Sequence, residues 1–257
     1  VDENLPNVEF IVTDGQNSSE KQVTDVETLL ARGVDVLMIS PLTSDALTPV
    51  VMDALDAGIP VVTMDRRVNV PVTVHVGAEN RPIGQSAGEF IAEQIGGTGA
   101  VIEIQGTAGA SATIDRHDGF MDAIEGTDIE VVASQHADYL RENALRFMED
   151  QLQRFGPGEI QAVYAHNDEM ALGAVQALEA AGRLDEVVVV GIDGQNSAFE
   201  AIAEGRLDAS FVYPFVAPEG VQIAYQIATG ESVPSEVVLE GMRVDASNID
   251  EMLGHGF

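Results

Sequence analysis

Short runs of aliphatic and β-branched residues alternate along the chain with longer stretches in which apolar residues recur every three or four positions. The short runs predict strands and the longer stretches predict helices, since the two structures repeat about every two and about every 3.6 residues. The predicted strands are residues 8–13, 34–39, 60–64, 72–76, 100–104, 129–134, 160–164, 187–192 and 209–212. This alternation is typical of βαβ units, so we predict an α/β fold with parallel sheets.

Two of the predicted helices carry additional signals. One has its apolar residues on a single face, at Ile83, Ala87, Phe90, Ile91 and Ile95. The other begins after Asn167, a residue type that caps helices, and we expect Asp168 and Glu169 to be capping charges favoured by the helix dipole. Both segments are therefore predicted as helices.

Polar and charged residues follow several predicted strands. Asp65 and Arg66 come directly after one strand, Asn167 and Asp193 follow two others, and Arg116 lies beyond the strand at 100–104. Ligands of open parallel sheets bind beyond the carboxyl ends of the strands. Planar acceptors and arginine donors in such a place suit a neutral ligand with many hydroxyl groups. An ordinary ion pair at a strand end is the alternative for Asp65 and Arg66.

The chain has 43 acidic and 12 basic residues, a formal net charge of −31, and Lys21 is its one lysine. Such a surface repels nucleic acids and anionic lipids. The acids are spread over many segments, as on the helix surfaces of proteins from salt-adapted organisms, where salt screens the repulsion. We therefore expect a halophilic source with an acidic proteome and no nucleic-acid partner.

The chain has no cysteine, so disulfides, thiolate metal sites and cysteine nucleophiles are excluded. It contains no apolar run long enough to span a bilayer, and no signal peptide in the residues given. No spacing of histidines and acids matches a metal site, and the glycine-rich segment 96–99 lacks the order of a phosphate-binding loop. We predict neither a cofactor nor a metal.

Two short motifs could suggest catalysis. Residues 84–88 match G-x-S-x-G, but Ser86 falls within the predicted helix 83–95 rather than on a strand-to-helix turn. His117 and Asp118 could pair on a metal, but adjacent helical residues do not face one another, which favours a solvated helix face. His166 borders the strand-end residues and could orient Asn167 or contact a ligand. Because no nucleophile, base and cofactor loop fall within reach of one another, we predict that the chain is not an enzyme.

Five stretches resemble the ribose-binding-protein family, the sugar-specific branch of the type I periplasmic binding proteins. They are 61–66 (VVTMDR), 101–110 (VIEIQGTAGA), 133–139 (ASQHADY), 163–173 (VYAHNDEMALG) and 189–194 (VVGIDG), in the order and spacing of the family. The resemblance implies two Rossmann-like lobes joined by a three-segment hinge, with crossings near Glu79, Tyr213 and Glu240. One lobe would comprise residues 1–79 and 214–240, and the other residues 80–213 and 241–257.

The resemblance also implies the ligand-binding residues. Asp65 and Arg66 would bind sugar hydroxyls from one lobe, and Arg116, Asn167 and Asp193 from the other. Tyr139 stands where the family has an aromatic ring that stacks on the sugar. Tyr213 stands where ribose-binding members have an amide, which argues against ribose itself.

Family members begin with a strand and a helix that precede the segment at residue 8. The chain as given has no counterpart, so we expect that the first strand and helix are lacking through truncation or are supplied elsewhere.

The resulting hypothesis is a solute-binding protein of a sugar ABC importer. It would bind a monosaccharide between two lobes, close by a hinge motion and dock as a monomer on a membrane permease. It would lie in the periplasm or outside the cell. A lipid on the missing N-terminal segment could anchor it to the membrane there. The alternative is the effector domain of a sugar-responsive transcription regulator, which needs a helix-turn-helix and a basic patch. Neither is found in this sequence.

Overall fold

The computed structural model describes residues 8–257. Its helices are α1 (Ser19–Arg32), α2 (Ser44–Asp56), α3 (Asn80–Gln94), α4 (Ser111–Ile124), α5 (Arg141–Arg154), α6 (Asp168–Ala181), α7 (Asn196–Ala203), α8 (Ala217–Ala228) and α9 (Ile249–Met252). Its strands are β1 (Leu37–Ile39), β2 (Val61–Met64), β3 (Val74–Gly77), β4 (Thr98–Gln105), β5 (Asp128–His136), β6 (Ala162–Ala165), β7 (Val188–Asp193), β8 (Ala209–Val212), β9 (Glu236–Val238) and β10 (Arg243–Asp245). Strands alternate with helices along the chain, and the sheets that they form are mainly parallel. This confirms the predicted α/β class.

The chain divides into two compact units. Unit 1 contains the described residues up to Gly77, together with Gly109–Ser111 and Phe215–Leu239. Unit 2 contains Ala78–Ala108, Ala112–Pro214 and Glu240–Phe257. Each unit holds a sheet and the helices that cover it, so each has a hydrophobic core of its own.

Unit 1 is built on a four-stranded parallel sheet in the order β1-β2-β3-β9. Val61 belongs to the apolar cluster formed with α1 and α2, whereas Val62 packs with Ile223 of α8. Neighbouring strand residues point to opposite faces, so the helices cover both sides of this sheet. The polar residues at the carboxyl end of β2 therefore emerge from a rigid layer.

Unit 2 is built on a six-stranded sheet in the order β10-β8-β7-β6-β4-β5, in which β10 alone is antiparallel. On one side, α5 and α6 contribute Met148, Met170 and Leu178 to a large buried cluster. Phe120 of α4 stacks on Tyr164 of β6 with ring centroids 4.5 Å apart, which anchors α4 to the sheet. The carboxyl ends of the parallel strands and helix α4 thus have fixed positions in this unit.

The helix predictions agree with α3 and α6, and eight of the nine predicted strand segments overlap a strand of the structure. The prediction for residues 8–13 is wrong, because this segment is irregular, with Val12 86% exposed. The segment is rich in apolar and β-branched residues, but no described strand pairs with it to satisfy its backbone. The strands β9 and β10 were not predicted, since each has only three residues, and β10 has Val244 alone as an apolar residue between Arg243 and Asp245, which leaves little hydrophobic pattern.

Along β1 the sheet of unit 1 has an unpaired edge among the described residues. A groove of about 590 Å³ runs beside it, lined by apolar residues that include Phe10, Leu29, Leu37 and Tyr225. Within residues 8–257, no helix is both long enough and apolar enough to cross a membrane.

Candidate functional site

In unit 1, the chain turns sharply at Asp65, immediately after β2. Asp65 has a φ of 62°, and its amide donates to the Val76 carbonyl of β3 over 3.0 Å. The Arg66 guanidinium lies 3.6 Å from the Asp65 carboxylate and donates to the Leu42 carbonyl over 3.1 Å. The ion pair considered from the sequence is therefore present. Both side chains remain partly exposed, Asp65 at 32% and Arg66 at 18%. A carboxylate and a guanidinium are held side by side with surface left for a ligand.

In unit 2, the Arg116 side chain is the centre of a polar and aromatic cluster. Its guanidinium donates to Asn80 Oδ1 over 2.8 Å and to the His166 carbonyl, and lies 3.6 Å from Asp193 Oδ1. The rings of Tyr139 and Tyr213 have their centroids 6.0 and 5.4 Å from the guanidinium carbon. Only 4% of the Arg116 side chain is exposed, so its orientation is fixed.

The aromatic ring of Tyr139 is held over a glycine. Its hydroxyl exchanges a 2.8 Å hydrogen bond with Thr113 on α4, and a Cβ on Gly106 would overlap the ring. Asn167 caps α6 by accepting from the Met170 amide over 2.9 Å, and its side-chain amide lies 3.5 Å from the Tyr139 carbonyl. The predicted cap is therefore present, and Asn167 is next to the aromatic residue.

Asp193 ends β7 in an unusual backbone conformation, with a φ of 125°. Tyr213 follows β8, its amide donates to the Asp193 carbonyl, and its hydroxyl accepts from the Ala78 amide over 3.1 Å. Unit 2 therefore brings together Arg116, Tyr139, Asn167, Asp193 and Tyr213, whereas Asp65 and Arg66 belong to unit 1.

Backbone strain coincides with these residues. Six non-glycine residues in the described part of the chain have a positive φ, and three of them are Asp65, Tyr139 and Asp193. Such conformations cost about 1–3 kcal/mol each and cluster at functional sites. The strain was not visible in the sequence. It coincides with Asp65 and Asp193, which the strand-end argument selected, and with Tyr139, which the family resemblance selected.

Several residues near the cluster were missed or given another role. Asn80 was missed. It is 5% exposed and accepts a hydrogen bond from Arg116. Because it lies three residues beyond the end of β3, the strand-end rule could have found it. Asp168 was predicted as a capping charge, but it is fully buried and accepts from the amides of Gly194 and Gln195 over 2.8 Å. Burial and the neighbouring Asp193 carboxylate raise the pKa of Asp168. Its role is to hold the turn that follows Asp193.

The alternatives raised by the short motifs have different outcomes. Ser86 is an exposed residue within α3, as the helical pattern predicted. His117 does not lie on a fully solvated face, because its Nδ1 lies 2.8 Å from the buried carboxylate of Glu103. Among residues 8–257, no group of three or more histidines and acids has the geometry to hold a metal ion.

Glycines allow α3 and α4 to approach closely enough to place Arg116. A Cβ at Gly84 on α3 would overlap the Arg116 carbonyl on α4, and one at Gly119 would overlap the Arg81 carbonyl. The G-x-S-x-G motif therefore contributes to helix packing through its first glycine.

Comparison with known proteins identifies the family. Residues 2–232 match the model of the periplasmic binding protein domain. The ribose import binding protein of Salmonella typhimurium is 39% identical over 230 residues, which are 88% of this chain and 77% of that protein. The chain belongs to the ribose-binding-protein-like family of periplasmic sugar-binding proteins.

Members of the family with other ligands are also similar to this chain. The xylitol-binding protein of Mycolicibacterium smegmatis is 30% identical over 253 residues, covering 97% of this chain and 72% of that protein. An ABC transporter solute binding protein from Bacillus halodurans, solved with bound myo-inositol, is 36% identical with a TM-score of 0.92. The match covers 96% of this chain and 87% of that one. These relatives are binding proteins, and their ligands are a pentose, an acyclic polyol and a cyclitol.

Proposed function

We propose that the chain is the solute-binding component of a sugar importer of the ABC type, and that it binds a monosaccharide or a related polyol without catalysing a reaction. The observation that carries the proposal is the Arg116 cluster in unit 2. It combines a fixed guanidinium, the Asp193 carboxylate and two aromatic rings.

This combination matches the chemistry of a sugar ring. Hydroxyl groups both donate and accept hydrogen bonds, so they can pair with a guanidinium on one side and a carboxylate on the other. The C–H face of the ring is apolar and suits an aromatic side chain. Tyr139 offers that surface, while Asn167 adds an amide.

Asp65 and Arg66 would supply the contacts of unit 1 to the same ligand, in the manner of the family. A ligand that contacts both units stabilises the arrangement in which both sets of contacts are made, and this is the origin of hinge closure. The closed form would then dock as a monomer on a membrane permease, in the periplasm or outside the cell.

Calorimetric titration with a panel of neutral sugars and polyols tests the proposal. The panel contains D-ribose, xylitol, myo-inositol and common pentoses and hexoses, and the titration is made in molar salt. We expect one member to bind with micromolar affinity, about −8 kcal/mol. If no member produces binding heat from a chain shown by circular dichroism to be folded, the proposed function is wrong.

A further inference from the structure

Glu103, on strand β4 between β6 and the edge strand β5 of unit 2, is a fully buried carboxylate. Its oxygens lie 2.8 Å from His117 Nδ1, 3.1 Å from His166 Nε2, 2.9 Å from Gln105 Nε2 and 3.0 Å from Ser134 Oγ. An unpaired carboxylate in this position would cost several kcal/mol, and each of these neighbours can donate a hydrogen bond to it. The contacts account for its stability but leave open why a charge lies here.

Two partners of Glu103 are neighbours of candidate ligand residues in the sequence. His117 directly follows Arg116, and His166 directly precedes Asn167. Glu103 therefore connects α4, which carries Arg116, to the end of β6, which leads into Asn167. The same two segments are joined again where Arg116 donates to the His166 carbonyl.

The surroundings of His166 define its protonation state. Its Nε2 lies 3.1 Å from Glu103, and its Nδ1 faces the amide of Gly106, a donor, at 3.4 Å. A neutral ring that carries its proton on Nε2 satisfies both contacts, because it donates to the carboxylate and accepts from the amide. A proton on Nδ1 would face the Gly106 N–H and push the two groups apart.

We propose that Glu103 and His166 are positioning residues of the ligand site, which hold Arg116 and Asn167 in place and make ligand affinity depend on a neutral His166. The inference rests on the proposed function. Neither residue contacts the ligand in this scheme, since both are fully buried. They act through the carbonyl of His166 and through the backbone on either side of it.

The charges around His166 support a dependence of ligand affinity on pH. Complete burial lowers the pKa of His166, against the opposing effect of Glu103. Burial works to raise the pKa of Glu103, but the hydrogen bonds from His166, His117 and Gln105 outweigh it and lower that pKa to about 2. Arg116 and His117 on α4 and Glu103 on β4 face His166, and Tyr164 of β6 lies beside it with ring centroids 5.0 Å apart.

The sign of the pH dependence follows from the lowered pKa. Below the ordinary histidine pKa of about 6.5, the unfolded chain takes up the proton before the folded one. Stability is then lost as the pH falls from about 6.5 through the lower folded-state pKa. Ligand affinity of the folded chain is expected to fall only as the pH drops through the folded-state pKa itself, because protonation of His166 then displaces the segment that leads into Asn167.

Two substitutions at one position separate positioning from general packing. Glutamine in His166→Gln offers an NH2 group that can donate and a carbonyl oxygen that can accept, in place of the one donor and one acceptor nitrogen of the neutral ring, but it does not titrate. Alanine in His166→Ala removes both. At pH 7.5 we expect His166→Gln to bind the sugar selected by the panel nearly as tightly as the parent, and His166→Ala to bind on the order of tenfold more weakly. As the pH is lowered from 7.5 through the folded-state pKa of His166, the parent should lose affinity that His166→Gln retains.

Glu103→Gln provides a second test, because an amide cannot accept four donors. It should weaken binding, whereas Glu130→Gln, an exposed position on the neighbouring strand β5, should not. His255→Gln is the exposed control for His166. Thermal unfolding of each variant confirms that it is folded at the temperature of the titration.

The inference is overturned if His166→Ala binds like the parent, or if His166→Gln keeps the parent's loss of affinity in acid. If no compound binds the parent, the proposed function fails, and NMR spectra of the unliganded chain still decide the inference. The Arg116 Nε–H and Asn167 side-chain amide signals should then shift with pH in the parent and stay constant in His166→Gln. Equal shifts in both would refute the positioning role.

Discussion

Replacing Arg116 with alanine is expected to weaken sugar binding by about 2 kcal/mol, roughly thirtyfold in Kd. The guanidinium is buried and serves three acceptors at once: Asn80 Oδ1, the His166 carbonyl and the Asp193 carboxylate. Its removal deprives the ligand of a charged donor and leaves buried acceptors without that partner. The change is measured by calorimetric titration with the compound that the parent binds.

Arg141→Ala is the matched control in the same unit. Arg141 donates to both oxygens of Glu169 over 2.9 Å, but it lies on the surface at the start of α5. An exposed pair of this kind contributes about 0–1 kcal/mol to stability, so we expect binding to be unchanged. Arg66→Ala should weaken binding as Arg116→Ala does, through unit 1. If both site variants bound sugar like the parent, the assigned residues would be wrong even though the family is correct.

The melting temperature is expected to rise steeply between low and molar salt. A net charge of −31 destabilises the folded chain through self-repulsion. The Debye length shrinks from about 10 Å at 0.1 M salt to about 3 Å at 1 M, so molar salt removes most of this repulsion. A gain of about 3 kcal/mol corresponds to an increase in Tm of roughly 10 °C for a chain of this size.

Sodium chloride and sodium sulfate should be compared in differential scanning calorimetry. Sulfate also strengthens apolar burial, so the part of the increase that chloride reproduces reports mainly screening. Sugar affinity should change little over the range in which the chain is folded, because the ligand is uncharged. A Tm that stays constant or falls with chloride would refute the proposal of salt adaptation and leave the binding proposal untouched.

The candidate site residues that the sequence pattern itself selected are those that follow predicted strands. Asp65, Asn167 and Asp193 follow apolar runs whose strand character was clear, and parallel strands end at a common edge. The residues that it missed or misassigned depend on contacts between distant segments. Asp168 accepts hydrogen bonds from backbone amides that are 26 and 27 positions away in the sequence. Glu103 contacts His166, which is 63 positions away.

Periodicity alone also failed for residues 8–13. The pattern of that segment is correct for a strand, yet a strand needs a neighbour to pair with its backbone, and the identity of the neighbour is not written in the segment itself. Glu103 gave a fainter signal, a charged residue between Ile102 and Ile104 in an otherwise apolar strand. Such a residue requires buried partners, and the sequence does not show which side chains they are.

The central claim is that the strand-end side chains bind a sugar, and a crystal structure with the compound selected by calorimetry tests it most directly. The account predicts one molecule per chain, with ring oxygens or hydroxyls within about 3.2 Å of Arg116 and Asp193 in unit 2 and of Asp65 or Arg66 in unit 1. The face of the ring should lie against Tyr139. Density for the ligand elsewhere, for example in the groove beside β1, with none at Arg116, would contradict the account.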